Sequence, residues 1–301
     1  MASRKNDDIP GLLQRLVGQS ESSAVLIAIS ILLVCLAVGT YTLWSHFGGY
    51  VMGQPEYQLT VESLETTPQP AWIAATDVRD EAARSVNLSS LHIRQSDVTL
   101  RVAQAFSMHP WVRKVVHVSK RYPARIIVQL DYRQPVAMVE VANGWLPVDA
   151  EGVLLPTNDF GPEATRQYMR IAAGESQPAS SVAGTSWGDD RVIEAASVAA
   201  YLQPYANELK LRKILAYRGA NDVRGRASYY FVMMTEQDTS IIWGHAPSRE
   251  QSGEPVAEQK LTRLRQFAAE QGSLDVLQPG QTIDLRNAVR LDVAALPEDL
   301  K

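Results

Sequence analysis

Apolar and polar positions sort this chain into three stretches. From Ser22 to Ser45 there is no Asp, Glu, Lys or Arg, and Ala24–Trp44 is apolar almost throughout, with eleven Leu, Ile or Val. About 20 helical residues, rising about 1.5 Å each, cross a hydrocarbon core about 30 Å thick. At about −0.3 to −0.6 kcal/mol per large aliphatic side chain, insertion gains about 3–6 kcal/mol. Tyr41 and Trp44 fall where interfacial aromatics sit. The pattern predicts a transmembrane helix over 24–44, between a tail over 1–23 and a Gly-rich linker over 45–56 that closes on Pro55. Arg4, Lys5 and Arg15 precede the span, and the first Lys or Arg after it is Arg79, so the N-terminus is expected on the cytoplasmic side. The apolar core is too long for a cleavable signal, whose core is about 7–15 residues. Cys35 follows Val34, where lipid attachment wants a small residue.

The second stretch mixes periods. Tyr57–Leu64 alternates in part and predicts a strand. Asp77 is placed to cap a helix running to about Val86, with Glu81 in its first turn. Asp97 is placed to cap a second, with Val98, Val102, Ala105 and Phe106 at helical spacing and Pro110 stopping it. Trp111–Val118 and Arg125–Asp131 predict two strands joined at Tyr122-Pro123; in the latter, Ile126, Val128 and Leu130 share one face. The order is β-α-α-β-β over 57–134.

Pro135 opens the third stretch, to 296, where strand periodicity dominates. Strands are predicted at Val136–Val141, Trp145–Val148, Gly152–Leu155 and Tyr168–Ala173, with Asn143-Gly144 as a hairpin turn. Further strands are predicted near 210–217, 228–235, 239–244, Thr282–Arg286 and Val289–Val293. Two helices interrupt them. One runs from Asp189 or Asp190 to about Tyr205, with Val192, Ala196, Ala199 and Ala200 inward. The other covers Val256–Ala269, with Ala257, Leu261, Leu264 and Ala268 on one stripe. Gly174–Ser186 reads as a loop, and a short polar tail follows Pro297. The expected fold class is α+β: one N-terminal span, a small β-α-α-β-β domain and a mainly β domain with flanking helices.

Composition narrows the function classes. The chain has 301 residues, 21% charged, a net charge of −4 and one cysteine. An intrachain disulfide and a Cys-based zinc cluster are excluded, and the acidic balance argues against a nucleic-acid partner. The five histidines show no metal-ligand spacing, and no Gly-rich phosphate loop occurs, so neither cofactor nor metal is expected. Gly184-Thr-Ser186-Trp-Gly188 matches G-x-S-x-G, with Asp222, Asp238 and His245 downstream. A nucleophile elbow needs a buried strand immediately before the Ser. Here a loop precedes it, so Ser186 is expected to be inert; a serine hydrolase using Ser186 is a minor alternative.

Two runs are basic. Arg113, Lys114, Lys120, Arg121, Arg125 and Arg133 face only Asp131, and Lys210, Arg212, Lys213, Arg218, Arg224 and Arg226 form the second. A solvated sheet face, anionic lipid headgroups and an acidic protein partner all fit such charge.

One segment resembles a known family. His109-Pro-Trp-Val-Arg-Lys, the basic-aromatic-Pro turn Arg121-Tyr122-Pro123, Arg133-Gln-Pro135-Val-Ala137 and the Asp149-Ala-Glu-Gly152 hairpin are similar to the FtsQ/DivIB family of bacterial division proteins. Ile241-Ile-Trp-Gly244, the Lys260-Leu261 helix and Ile283-Asp-Leu-Arg286 follow in family order. The likeness spans about residues 24–293. Tyr132 stands where the family usually has Glu, and Asn287 where an aromatic is common.

The resemblance implies a POTRA domain over 57–134 and the family's β domain over 135–296. It implies a bitopic, non-enzymatic scaffold in the cell inner membrane at the division site, linking septum formation to septal cell-wall synthases. A small bitopic coiled-coil partner would add a strand to the closing one. The implied partner-binding residues are Thr282, Ile283, Asp284, Leu285, Arg286 and Asn287, with Lys120, Arg121 and Arg125 as a second patch. No nucleic acid or small-molecule substrate is implied. A POTRA-type protein of outer-membrane assembly or secretion is the alternative.

Overall fold

The computed structural model describes residues 21–52, 58–219, 227–277, 281–287 and 292–295. Arg4, Lys5 and Arg15, Tyr57, Asp222, Arg224, Arg226 and the expected tail after Pro297 lie outside them.

Helix α1 is continuous over Glu21–Met52. Within it, Leu26–Gly48 is long and apolar enough to cross a membrane. Ile27, Ile31, Leu32, Leu33 and Leu36 point to different sides of the helix and all are exposed, so no side of it is polar. Ser30, Thr40, Thr42 and Ser45 return their hydroxyls to carbonyls three or four residues back, which leaves those groups satisfied in an apolar solvent. The expected linker from Ser45 is helical as far as Met52. Glycine costs a helix only about 1 kcal/mol, too little for Gly48-Gly49 to end one.

The described residues from 59 to 121 and from 125 to 295 form one compact body. Its first part holds strand β1 (Leu64–Thr66), helices α2 (Val78–Ser85) and α3 (Val98–Ser107), and strands β2 (Val112–Arg121) and β3 (Arg125–Tyr132). The sheet order is β1-β3-β2, with β1 parallel and β2 antiparallel to β3. Val78, Ala82, Val98, Val102 and Phe106 from the helices and Leu64, Ile126, Val128 and Leu130 from the strands are all buried. Asp77 caps α2 by accepting from the Asp80 amide. Asp97 does not cap α3 in that way: its carboxylate holds Arg101 one turn on, at 2.7 Å. The strand expected over 57–64 starts only at Leu64. Thr60 and Ser63 exchange bonds, with Ser63 Oγ accepting from the Thr60 amide and donating to its carbonyl, and wind Val61–Ser63 into one 3-10 turn.

The second part is an eight-stranded mixed sheet, ordered β11-β10-β9-β8-β7-β6-β4-β5. Its strands are β4 (Pro135–Val141), β5 (Gly144–Asp149), β6 (Met169–Ala172), β7 (Leu211–Arg218), β8 (Tyr229–Thr235), β9 (Ser240–Gly244), β10 (Gln281–Asp284) and β11 (Asp292–Ala295). A short helix α4 (Pro162–Arg166) precedes β6; α5 (Asp190–Leu202) and α6 (Ala257–Gln271) supply the larger helical surfaces. Val192, Ala195, Ala196, Ala199 and Leu202 of α5, with Ala257, Leu261 and Leu264 of α6, join Ile171, Ile214, Phe231, Trp243 and Ile283 in the core. The small residues of α5 let it lie close to the strands. A smaller cluster centres on Val232 and Ile242.

The strand expected over Gly152–Leu155 forms only two isolated bridges, to Val148 and Ser186. Gly152 has φ +68°, and a Cβ there would lie 2.9 Å from the Ile193 Cα, so the chain turns under α5 instead of extending.

Only Arg133 and Gln134 separate β3 from β4, and side chains pin the two sheets at that crossing. Arg133 Nη1 meets Asp149 Oδ2 at 2.5 Å, with both side chains largely withdrawn from solvent. Asp149 Oδ1 accepts from the amides of Glu151 and Val153, shaping the Asp-x-x-Gly turn. Trp72 Nε1 donates to the Arg133 carbonyl. Asp159, buried beyond β5, reaches back to accept four hydrogen bonds: from the amides of Ala75 and Thr76, from Thr76 Oγ1 and from Trp111 Nε1.

Candidate partner-binding site

The residues expected to bind a partner strand sit in β10 and just after it. Ile283 and Leu285 are buried in the core, and Thr282 is buried with its hydroxyl on the Ser240 carbonyl. Arg286 grips Asp284 through two nitrogens, Nε to Oδ1 at 3.0 Å and Nη2 to Oδ2 at 2.6 Å. The Asn287 carbonyl accepts from Arg263 at 2.6 Å.

The placement corrects the expectation that this strand is uncovered. β10 lies between β9, which it joins in parallel from Thr282↔Ser240 to Asp284↔Ile242, and β11, which it joins antiparallel from Gln281↔Ala295 to Asp284↔Asp292. Both its main-chain edges are occupied. The sheet ends on β11, whose outer row of N–H and C=O groups faces no strand among the described residues. A proline at Asp284 would therefore break β10's pairing inside the sheet and not merely blunt an outer edge.

The second patch also divides. Lys120 Nζ is 3.2 Å from the carbonyls of both Ile93 and Gln95 and serves the fold. Arg121 and Arg125 face each other across the end of the β2–β3 hairpin and are exposed. Arg125 meets Glu65 at 3.0 Å. Elsewhere in the first basic run Arg113 pairs with Glu151, and in the second Lys213 pairs with Glu140.

Ser186 is exposed, and its segment is a staple: its main chain bridges Val153, while the amides of Gly184 and Trp187 donate to the carbonyls of Leu154 and Gly152. His245 turns both ring nitrogens elsewhere. Nδ1 lies 2.7 Å from Glu254 Oε2, and Nε2 lies 2.9 Å from Ser228 Oγ. Glu254 Oε1 also binds Lys260 Nζ at 2.6 Å and accepts from the His245 amide.

The Lys260 side chain is fully buried, with Nζ 5.2 Å from the centre of the Trp243 ring. Burial would raise the Glu254 pKa, but hydrogen bonds from His245 and Lys260, with the Lys260 charge, bring it down to about 2. Burial lowers the Lys260 pKa against the pull of Glu254. A Cβ on Gly244 would fall 1.9 Å from Glu254 Oε1, at φ +92°, so this position requires glycine.

The Ser-His-carboxylate order resembles a hydrolytic relay, but the same groups fasten the 245–254 loop to β8 and α6. The sequence pattern did not join these four residues. The available signal was Lys260, a charge lying on the apolar stripe of α6 between Ala257 and Leu264.

Among the described residues no group of three or more His, Cys, Asp or Glu is placed to hold a metal ion. No protein-family model matches the chain, and no curated protein matches it in sequence.

Proposed function

We propose that the chain is a non-enzymatic, single-span scaffold of the bacterial division machinery, similar to the FtsQ/DivIB family. The N-terminus is cytoplasmic, and the two sheets lie outside the inner membrane as a POTRA domain and the family's β domain. The β11 edge takes a strand from a small bitopic division partner, and the complex restrains or recruits septal cell-wall synthesis. The apolar α1 and the β-α-α-β-β order support the anchoring and the domain type. The observation that carries the partner role is the sheet's end on β11, whose outer main-chain groups face no strand among the described residues. Each main-chain hydrogen bond so gained contributes about 0.5–1.5 kcal/mol net.

The experiment has two arms. A fluorescent fusion should form midcell bands; even distribution over the envelope would favour a role in outer-membrane assembly or secretion. A photo-crosslinking amino acid at Val293, which is 43% exposed, should capture a small membrane protein. Absence of any adduct there in dividing cells would remove the strand-addition site.

The hydrolase alternative moves from Ser186 to Ser228, because His245 is bonded to Ser228. A fluorophosphonate probe that labelled the wild type and not Ser228→Ala would establish it; no labelling leaves the network structural.

A further inference from the structure

We propose that the turn end of the β2–β3 hairpin is a docking surface for anionic phospholipid headgroups. The inference rests on α1 being a membrane anchor and is independent of the scaffold role.

Three observations lead there. First, Arg121 and Arg125 are direct cross-strand partners on the sheet face away from the helices, where like charges oppose each other at a cost. Glu65 reaches Arg125 at 3.0 Å, and both side chains are about half exposed or more, so solvent screens that pair. Arg121 is exposed beside it. A phosphodiester seated between two guanidinium groups would relieve the repulsion and accept hydrogen bonds from both.

Second, Tyr122 occupies the turn between the two arginines and is 66% exposed. An aromatic ring with a polar tip, flanked by cations, has the character of an interfacial anchor.

Third, the chain itself ties this end of the sheet to the bilayer. Leu64 of β1 pairs with Ile126, the residue after Arg125, so β1 starts at the turn end of the hairpin. Residues 53–63 connect α1 to that point, and eleven residues reach at most about 40 Å. The arginine pair is thereby held at high local concentration near the headgroups, whichever side of the membrane the sheet occupies. An acidic protein would satisfy the charges equally well, but the tether supplies the lipid surface permanently.

The test uses the full chain in nanodiscs, with Cys35→Ala and a fluorophore on Ala124→Cys in the same turn, so that Tyr122 is retained. Nitroxide-labelled lipid reports proximity by quenching. Discs of phosphatidylcholine are compared with discs containing 30% phosphatidylglycerol at the same nitroxide content. Quenching should rise in the anionic discs. It should fall back as salt goes from 0.1 to 1 M, where the screening length drops from about 10 to about 3 Å.

R121Q should lower the docked-to-free ratio about fivefold and R121Q/R125Q about thirtyfold, corresponding to about 1 kcal/mol per arginine. Unchanged thermal unfolding of the variants keeps the comparison valid, and where R121Q/R125Q unfolds early, R121Q alone with the salt series decides. Equal quenching in both disc types, or quenching indifferent to R121Q and salt, overturns the proposal. So does loss of a co-purifying acidic protein in R121Q with lipid quenching unchanged. Extraction of the wild-type chain from discs by alkaline carbonate would instead refute the anchor on which the inference stands.

Discussion

Asp159→Ala should loosen the junction between the two sheets. The wild-type carboxylate accepts the Ala75 amide at 2.7 Å, the Thr76 amide and the Trp111 indole N–H at 2.9 Å each, and the Thr76 hydroxyl at 2.7 Å. The hydroxyl can rotate to another acceptor; the two amides and the indole cannot. Each buried donor left without an acceptor costs about 1–3 kcal/mol, so with some water entering the gap the variant loses about 4 kcal/mol.

That is a large part of the about 5–15 kcal/mol that holds a folded domain. With a urea dependence of about 2 kcal/mol per M, the unfolding midpoint should fall by about 2 M. Trp111 should become visible early in the transition as a red shift in fluorescence, since its ring is fully buried in the wild type. Asp159→Asn should lose less, because its retained oxygen still accepts both amides.

Acid gives an independent reading. Burial pushes the Asp159 pKa up, but the hydrogen bonds from Thr76, Ala75 and Trp111 outweigh it and hold the group below its ordinary value of 3.8. Its contribution is therefore complete above that value and disappears as pH falls below it. A midpoint shift under about 0.5 M for Asp159→Ala, equivalent to about 1 kcal/mol, would refute the reasoning.

Glu254, held at about 2 against an ordinary 4.5, contributes stability that is complete above about pH 4.5 and vanishes toward pH 2. The change is about 3 kcal/mol, and a chemical-denaturation series over that range should lose this slope in Glu254→Gln. Gly244→Ala should lower the melting temperature, because the new methyl displaces the Glu254 carboxylate from both His245 and Lys260; an unchanged melt would show that the loop relaxes freely. Trp111→Ala should cost about 3–5 kcal/mol by calorimetry, since it removes a fully buried ring and one of Asp159's four donors. Ser186→Ala should leave both unfolding and cell growth as they are, because the segment holds Val153 through its main chain.

Local chemistry made much of this fold legible in the sequence. Asp77 announced α2 because its side chain can reach the third amide of the helix, and Ile126, Val128 and Leu130 announced β3 because a strand shows alternate residues to one face. Arg133 and Asp149 stand out in the sequence by resemblance alone, and the structure makes them partners. Other features depend on chain crossings that no window of sequence contains. Ser228, His245 and Glu254 converge only after β8, β9 and the following loop have packed. The covering of β10 by β11 is not legible, because a strand predicted over Val289–Val293 carries no sign of which neighbour it will join. The run of α1 on to Met52 is not legible either, because Gly48-Gly49 reads as a linker while the helical hydrogen bonds on either side carry the helix through it.

The crossing between β3 and β4 has a mechanical consequence. Two residues, Arg133 and Gln134, give no length for a hinge, and Arg133 is itself fastened to Asp149 while its carbonyl takes the Trp72 indole. Domains joined by a flexible linker sample many separations, and a ligand gripping both must first select one. Here the spacing between the hairpin of the first sheet and the strands of the second is fixed in advance. Any molecule that touched both would meet them at that one separation, with no linker to order first. Lengthening the crossing by a few glycines would release that fixed spacing while leaving each sheet's own surface intact.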